Sequence, residues 1–192
     1  MMLNVTILYG SMRRDRQGIK AARFIDKQFQ SRGHKTEFVD VLEYDLPLLD
    51  RMYKEYPAGQ APEKLERLAA IYRASDGFVI VSGEYNHGIP PALKNLLDHF
   101  LEEYFYRPSG IVCYSAGMFG GVRAAMQLRM TLAELGMSSI PTLFPVPKVQ
   151  TAFSEDGTPT NDASYRHVQG FLDEFEWYAN ALKDARLQGL PR

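Results

Sequence analysis

Hydrophobic and polar positions along this chain follow two different periods, and the change of period marks the predicted elements. Leu3 to Tyr9 is a short apolar run rich in branched side chains, which predicts a strand buried on both faces. Ile19, Ala22, Ile25 and Phe29 then recur every three or four residues, the spacing of one apolar helix face. The chain therefore begins with a strand, a turn and a helix.

The same succession continues along the rest of the chain. Four further strands are predicted, from Thr36 to Val41, Phe78 to Val81, Gly110 to Tyr114 and Ser138 to Val146. Strands three and four are continuously apolar, which favours central positions, whereas the alternation in strand two and the prolines in strand five favour edges. Helices are predicted from Pro62 to about Ser75, from Pro91 to Tyr106, from about Gly121 to Leu135 and from about Asp162 to Ala185.

Alternating strands and helices predict an α/β fold, in which a parallel sheet carries helices on both faces and forms a three-layer sandwich. Five strands joined by these connections favour the order 2-1-3-4-5. Residues 1–192 contain no repeat, low-complexity run or linker, so a single domain is expected. The connection from Glu43 to Ala61 is unusually long, and three interpretations stay open: it walls a ligand site, packs on a neighbouring subunit, or is an ordinary surface excursion.

The turn after the first strand, Gly10 to Gly18, is the first candidate for a binding site. Backbone N–H groups at the start of the next helix point past the end of the strand, where the helix dipole favours an anion. Ser11 adds a hydroxyl donor, and Arg13, Arg14 and Arg16 add cations that suit a phosphate. The turn matches neither the Gly-x-x-x-x-Gly-Lys-Ser/Thr loop nor the Gly-x-Gly-x-x-Gly fingerprint. A phosphate site is predicted, with a basic turn that binds nothing as the alternative.

Two more loops reach the same edge of the predicted sheet, where ligands bind in such folds. Ser82 to Pro91 combines Asn, Gly and paired Pro with Tyr85, so it can present backbone N–H groups and an aromatic wall to a planar ring. Ser115 to Gly121 is rich in glycine, which lets a ligand approach the backbone closely. The three loops together predict one crevice that holds a phosphate and a ring.

Composition narrows the class of partner. The formal net charge is −1, with 22 Lys and Arg against 23 Asp and Glu, which argues against a nucleic-acid or anionic-membrane surface. The single cysteine, Cys113, lies in an apolar strand, and the 4 histidines lack metal-binding spacing, so no metal is expected. The chain shows no signal peptide and no run of about twenty apolar residues, so a cytoplasmic protein is expected.

These motifs resemble those of the NAD(P)H-dependent FMN reductases of flavodoxin-like fold, a family that includes quinone, azo-dye and chromate reductases. Gly10-Ser11-Met12-Arg13 matches the family's Gly-Ser-x-Arg phosphate loop, and Glu84-Tyr85-Asn86 matches most of its Pro-Glu-Tyr-Asn ring loop. Ala92-Leu93-Lys94-Asn95 and the turn 115–121 support the resemblance, which covers nearly the whole chain. It implies a flavodoxin-like three-layer sandwich, FMN as cofactor, and NADPH or NADH as co-substrate.

The resemblance also implies roles for individual residues. The implied phosphate cradle consists of Ser11, Arg13, Arg16, Gln17 and Gly18. The implied ring contacts are Glu84, Tyr85, Asn86, His87, Ser115, Ala116, Gly117, Phe119 and Gly120. Two positions depart from the family pattern: Arg16 stands where a serine is usual and either strengthens phosphate binding or faces solvent, and Gly83 replaces a proline and loosens the ring loop. Glu84 has an alternative role as an outward salt-bridging side chain.

The implied reaction is a ping-pong transfer that needs no catalytic acid, base or nucleophile. The nicotinamide passes a hydride from its C4 to flavin N5 and leaves, and a flavin, quinone, azo or metal-ion acceptor then takes the electrons. The family resemblance further implies a homodimer or homotetramer, with the long loop and a helix from Leu93 to Tyr106 at the interface. A flavodoxin-type electron carrier and a flavin-binding sensor without NAD(P)H turnover are the alternative functions.

Overall fold

The sheet order expected from the sequence is confirmed in the computed structural model, which describes residues 1–191. Its strands are β1 Asn4–Tyr9, β2 Lys35–Asp40, β3 Gly77–Ser82, β4 Pro108–Tyr114 and β5 Ser138–Val146. All neighbouring strands pair in parallel, in the order β2-β1-β3-β4-β5. The two strands whose patterns favoured an edge, β2 and β5, lie at the edges.

The helices cover both faces of this sheet, as an α/β sandwich requires. They are α1 Gly18–Ser31, α2 Val41–Tyr44, α3 Glu63–Ala74, α4 Pro91–Asp98, α5 Val122–Glu134, α6 Val149–Ala152 and α7 Ala163–Gln188. Buried side chains of α1 and α7 pack on one face, and those of α3, α4 and α5 pack on the other.

The central strands contribute to both hydrophobic cores because successive side chains on a strand point to opposite faces. On β1, Ile7 and Tyr9 belong to the core under α1 and α7, whereas Leu8 belongs to the core under α3, α4 and α5. Val79 and Ile80 of β3 divide in the same way. This double burial explains why these strands appear in the sequence as continuous apolar runs.

The helix predicted from Pro91 to Tyr106 is too long at its C-terminal end. Helix α4 ends at Asp98, and a separate 3₁₀ turn occupies Glu102–Tyr104. Phe100 and Tyr104 are fully buried, and their rings pack against Tyr72 of α3 with centroids 4.9 and 5.3 Å apart. Aromatic packing against α3 therefore redirects the chain where helical spacing predicted a continued helix.

The long connection after β2 is fastened to α4 by one amide. Asn95 accepts a hydrogen bond from the Leu49 N–H at 2.9 Å and donates through Nδ2 to the Pro47 carbonyl at 2.8 Å. The connection also contains a 3₁₀ turn at Tyr53–Glu55. With α2 and α4 it encloses a hollow of about 190 Å³ whose lining is apolar apart from Tyr44 and Asn95. The lining of this hollow lacks a charged group and includes Met12 from the turn that follows β1.

Candidate functional site

The three loops predicted to bind a ligand meet at the carboxyl ends of β1, β3 and β4. The Gly10 N–H donates to the Val81 carbonyl at 3.1 Å, which joins the first loop to β3. A cavity of about 420 Å³ lies between the loops. The predicted site residues that line it are Ser11, Arg13, Arg16, Gln17, Glu84, Tyr85, Ser115 and Ala116. The predicted crevice therefore exists, and most of its expected residues border one space.

The loop after β1 presents hydrogen-bond donors to this cavity. Ser11 is 3% exposed, and its hydroxyl accepts the Arg13 N–H at 3.4 Å, which leaves its own O–H proton to donate. Arg13 is exposed and lines the cavity. Helix α1 begins at Gly18, and Gln17 is its N-cap residue. The helix has no side-chain cap and no acidic residue in its first turn. The Ile19 and Lys20 N–H groups already donate to the carbonyls of Arg16 and Gln17 at 3.0 and 3.3 Å, so it is the positive dipole end of α1 that suits an anion.

Arg16 lines the cavity, but its charge is already paired. Its Nη1 lies 2.6 and 2.5 Å from the two carboxylate oxygens of Asp40, and the guanidinium stacks 5.5 Å from the ring centre of Tyr9. The two side chains are 21% and 12% exposed. Of the two alternatives for Arg16, the solvent-facing one does not describe a side chain that is paired with Asp40, and a contribution to phosphate binding stays a prediction. The pairing arises because β2 and β1 are neighbours and their ends place Asp40 opposite Tyr9.

Tyr114, at the end of β4, forms the floor of the cavity. A Cβ added to Gly18 would lie 2.0 Å from the Tyr114 ring, and one added to Gly83 would lie 3.2 Å from it. The ring therefore fills the space between the start of α1 and the loop after β3. This space is open because Gly18 and Gly83 have no side chain. Burial raises the pKa of Tyr114 well above its usual value, with Tyr9 adding to the shift, so the phenol stays a neutral donor. From the sequence, Gly83 was expected only to loosen its loop.

The loop after β3 contains a tight turn. Tyr85 and Gly88 exchange backbone hydrogen bonds of 3.1 and 2.8 Å, and the residues between them, Asn86 and His87, have φ values of 50° and 66°. Positive φ at both central positions is the geometry of a type I′ turn, which asparagine tolerates well. Tyr85 lines the cavity as an aromatic wall, whereas Asn86 and His87 lie exposed at the tip.

Glu84 connects the loop after β3 to the start of α5. One carboxylate oxygen accepts the N–H groups of Arg123 and Ala124 at 3.0 and 3.1 Å, in the first turn of α5. Its other oxygen lies 3.8 Å from the Arg123 guanidinium. The carboxylate binds the start of α5 rather than facing outward, and contact of Glu84 with a ring stays a prediction. A negative charge at this helix end is stabilised by the helix dipole.

The loop after β4 is held by the chain that follows β5. The Val149 N–H donates to the Ser115 carbonyl at 3.1 Å, and the Lys148 N–H donates to the Gly117 carbonyl at 3.0 Å. Gln150 Nε2 donates to the Ala116 carbonyl at 3.3 Å. The start of α5 also requires glycine at position 121, where φ is 80° and a Cβ would lie 2.7 Å from the Tyr114 carbonyl. The hydrogen bonds from residues 148–150 therefore hold the carbonyls of this loop in place.

The remaining predicted residues lie beside the cavity rather than in its lining. This group comprises Gly18, Asn86, His87, Gly117, Phe119 and Gly120. Phe119 is 63% exposed with the Arg123 guanidinium 4.4 Å from its ring centre. Gly120 is buried against the Pro145 side chain and the backbone of residues 146 and 147. Contact of these residues with a ligand stays a prediction.

Several residues that line the cavity were not predicted from the sequence, namely Asp15, Gly83, Tyr114, Val149 and Gln150. Tyr114 carried a usable signal, because it ends a central strand at the ligand-binding edge of the sheet. Val149 and Gln150 follow the edge strand, whose loop was not expected to reach the site.

The chemistry available here is binding and positioning. Cys113 lies next to the floor, but it is fully buried and burial raises its pKa to about 12, so the thiol stays protonated. Across residues 1–191, no group of three or more His, Cys, Asp or Glu side chains is arranged to hold a metal ion. In the same part of the chain, no helix combines the length and apolar character that a membrane span needs.

Comparison with known proteins gives a consistent result. A family model described as NADPH-dependent FMN reductase matches residues 3–151. A quinone reductase of Pseudomonas putida is 28% identical over 178 residues, covering 90% of this chain and 92% of that protein. An NADPH azoreductase of a Bacillus species is 24% identical over 187 residues, covering 97% and 98%.

Solved structures share the fold. A flavoenzyme NAD(P)H:(acceptor) oxidoreductase from Paracoccus denitrificans superimposes with a TM-score of 0.75 at 24% identity. The alignment covers 94% of this chain and 98% of that one. The flavodoxin-like architecture expected from the sequence is therefore confirmed.

Proposed function

Because the chain belongs to the NADPH-dependent FMN reductase family, we propose that it transfers electrons from NAD(P)H through FMN to a small-molecule acceptor in two separate half-reactions. The observation that carries this proposal is the cavity at the ends of β1, β3 and β4, with anion donors at one side and an aromatic wall at another. Bound FMN supplies the redox chemistry, because its ring accepts and releases electrons.

The residues present fit this cofactor. The Ser11 hydroxyl, the Arg13 guanidinium and the uncapped start of α1 match the charge and acceptor oxygens of a phosphate. Tyr85 and the backbone around Ser115 match a planar ring with polar edges. The protein's part is then to hold the ring, place polar donors at its edge and leave one face open to the nicotinamide.

For the electron acceptor, the proposal names a chemical class and not a single compound. Four classes of acceptor are compatible with this open cavity: a free flavin, a quinone, an azo compound and an oxidised metal ion. None of them needs a nucleophilic side chain, because the flavin delivers the electrons. The relatives include a quinone reductase and an azoreductase, which supports quinones and azo compounds as the acceptors to test first.

A spectroscopic experiment tests the function. The purified protein is mixed with FMN, freed of excess flavin, and titrated anaerobically with NADPH and with NADH. We expect retained flavin absorption that bleaches with a pyridine nucleotide and returns when a quinone is added. Initial rates at several quinone concentrations should then give the parallel double-reciprocal lines of a ping-pong reaction. Retained flavin that neither nucleotide reduces would instead favour an electron carrier or a sensor, and absence of flavin binding in a titration would overturn the proposal.

We further propose that the protein is a homodimer or homotetramer in the cytoplasm. Support comes from exposed apolar side chains near the cavity and along α5, namely Met118, Phe119, Met126 and Met130. The segment from Leu93 to Tyr106 was also expected at the interface, and its Phe100 and Tyr104 side chains are buried inside the chain's own core. A monomer at micromolar concentration in light scattering would contradict the oligomer.

A further inference from the structure

The ion pair between Arg16 and Asp40 lies beside the phosphate loop, and its effect on the site goes beyond the proposed function. We propose that Asp40 is a positioning residue of this loop, defined here as residues 11–18, and that it acts by holding Arg16, which serves the site as an anchor and not as a phosphate ligand. The inference rests on the proposed function, since it concerns how the FMN site is held in shape.

Asp40 contacts two elements at once. One of its oxygens accepts the Leu42 N–H at 2.9 Å and caps the start of α2, while both oxygens accept Arg16 Nη1. A single carboxylate thereby joins the phosphate loop to the end of β2. The pair is largely shielded from water, so it is more persistent than an exposed ion pair.

Arg16 is also fixed through its backbone at the start of α1. Its carbonyl accepts the Ile19 N–H at 3.0 Å and lies 3.4 Å from the Tyr9 hydroxyl. In contrast, residues 12–15 are all exposed. Arg16 is therefore an anchored residue next to the exposed stretch 12–15, and its side-chain pairing restricts the loop between Ser11 and the first helical turn.

Two opposite effects can follow from removing the Asp40 charge. If Arg16 were a phosphate ligand that Asp40 competes for, neutralising Asp40 would free the guanidinium and strengthen FMN binding. If Arg16 anchors the loop, the same change releases the anchor and weakens FMN binding, because the bound loop must then be ordered at the cost of conformational entropy. The sign of the change separates the two roles.

The variant Asp40→Asn tests this sign, because asparagine retains the side-chain volume and can still cap α2. We expect about tenfold weaker FMN binding in a fluorescence-quenching titration. Arg16→Gln should weaken binding similarly, and the double variant should bind no more weakly than the weaker single variant, since both changes break one anchor. Asp45→Asn is the matched control, because it removes an exposed carboxylate of the same region and should leave affinity unchanged.

Amide hydrogen exchange of the phosphate loop without FMN is the second measurement. Exchange of the Gln17, Ile19 and Lys20 N–H groups, which donate to the carbonyls of residues 15–17, should be faster in Asp40→Asn and Arg16→Gln than in wild type, and unchanged in Asp45→Asn. Equal or tighter FMN binding by Asp40→Asn, or unchanged loop exchange, would overturn the inference. Wild-type protein that binds no FMN would overturn the proposed function instead, and the exchange measurement would still decide whether Asp40 orders the loop.

Discussion

At the residue scale, the charge of the phosphate loop depends on which arginines keep an unpaired guanidinium. Among residues 1–191, Arg16 is paired with Asp40, while Arg13 and Arg14 form no ion pair with a carboxylate. Arg13 lines the cavity and Arg14 does not. We predict that Arg13→Ala weakens FMN binding by about 1.5 to 3 kcal/mol, since it removes a charge-assisted contact. Arg14→Ala is the control in the same titration. Equal effects of the two variants would mean that Arg13 acts through the net charge of the loop and not through a direct contact.

The contact between Gly18 and Tyr114 gives a second residue-scale prediction. Because an added Cβ would lie 2.0 Å from the Tyr114 ring, Gly18→Ala should lower the free energy of unfolding by about 1 to 3 kcal/mol in urea denaturation. Gly117→Ala is the control, since a Cβ there meets no atom within 4 Å. Combining Gly18→Ala with Tyr114→Ser should cost less than the sum of the single variants. Additive losses would show that the ring is not the obstacle.

These residues also mark how far the sequence could predict the site. Ser11, Arg13 and Tyr85 belong to short local motifs, so their positions follow from the loop that contains them. Asp40 and Tyr114 act on the loop after β1 from the ends of β2 and β4. Only the pairing of strands in the sheet places them beside it. A contact between distant segments leaves no trace in local spacing, which is why the pairing of Arg16 and the function of Gly83 were not foreseen.

At the element scale, the start of α5 depends on a carboxylate from another loop. Glu84 accepts two N–H groups in the first turn of α5, which has no side-chain cap of its own. We predict that Glu84→Ala lowers the free energy of unfolding by about 1 to 2 kcal/mol, because those donors lose their partner and the helix dipole loses its counter-charge. Glu134→Ala, at the other end of α5, should be neutral or slightly stabilising. Similar losses for both variants in urea denaturation would contradict a specific cap.

The elements differ in how well their limits follow from the sequence. The central strands are clear because burial on both faces makes them uniformly apolar. The segment after Asp98 was predicted to be helical because Phe100 and Tyr104 continue the helical spacing. In the structure α4 ends at Asp98, and the two rings pack on α3. The long connection after β2 has no periodic pattern, and the Asn95 amide that fastens it lies 46 residues from Leu49. Tertiary contacts override local pattern at both places.

At the scale of the whole molecule, the sheet buries several ionisable groups that are neutral at physiological pH. Cys113 on β4 is fully buried, and burial raises its pKa to about 12. The pKa values of Tyr72, Tyr104 and Tyr114 are raised by burial as well. A group whose pKa is higher in the folded state stabilises the fold fully below its unfolded pKa, and that contribution disappears as pH rises through the folded value. The fold should therefore weaken in alkali.

Cys113 should be the first of these groups to contribute, because an unfolded thiol titrates near pH 8.5, below an unfolded tyrosine near pH 10. We predict that wild type loses about 1 to 2 kcal/mol more unfolding free energy than Cys113→Ala between about pH 8 and pH 10, where each pKa unit is worth about 1.4 kcal/mol. Urea denaturation of both proteins at each pH measures this difference, and the tyrosines contribute equally to both. Identical pH dependence would mean that the Cys113 thiol titrates in the folded protein as it does in water.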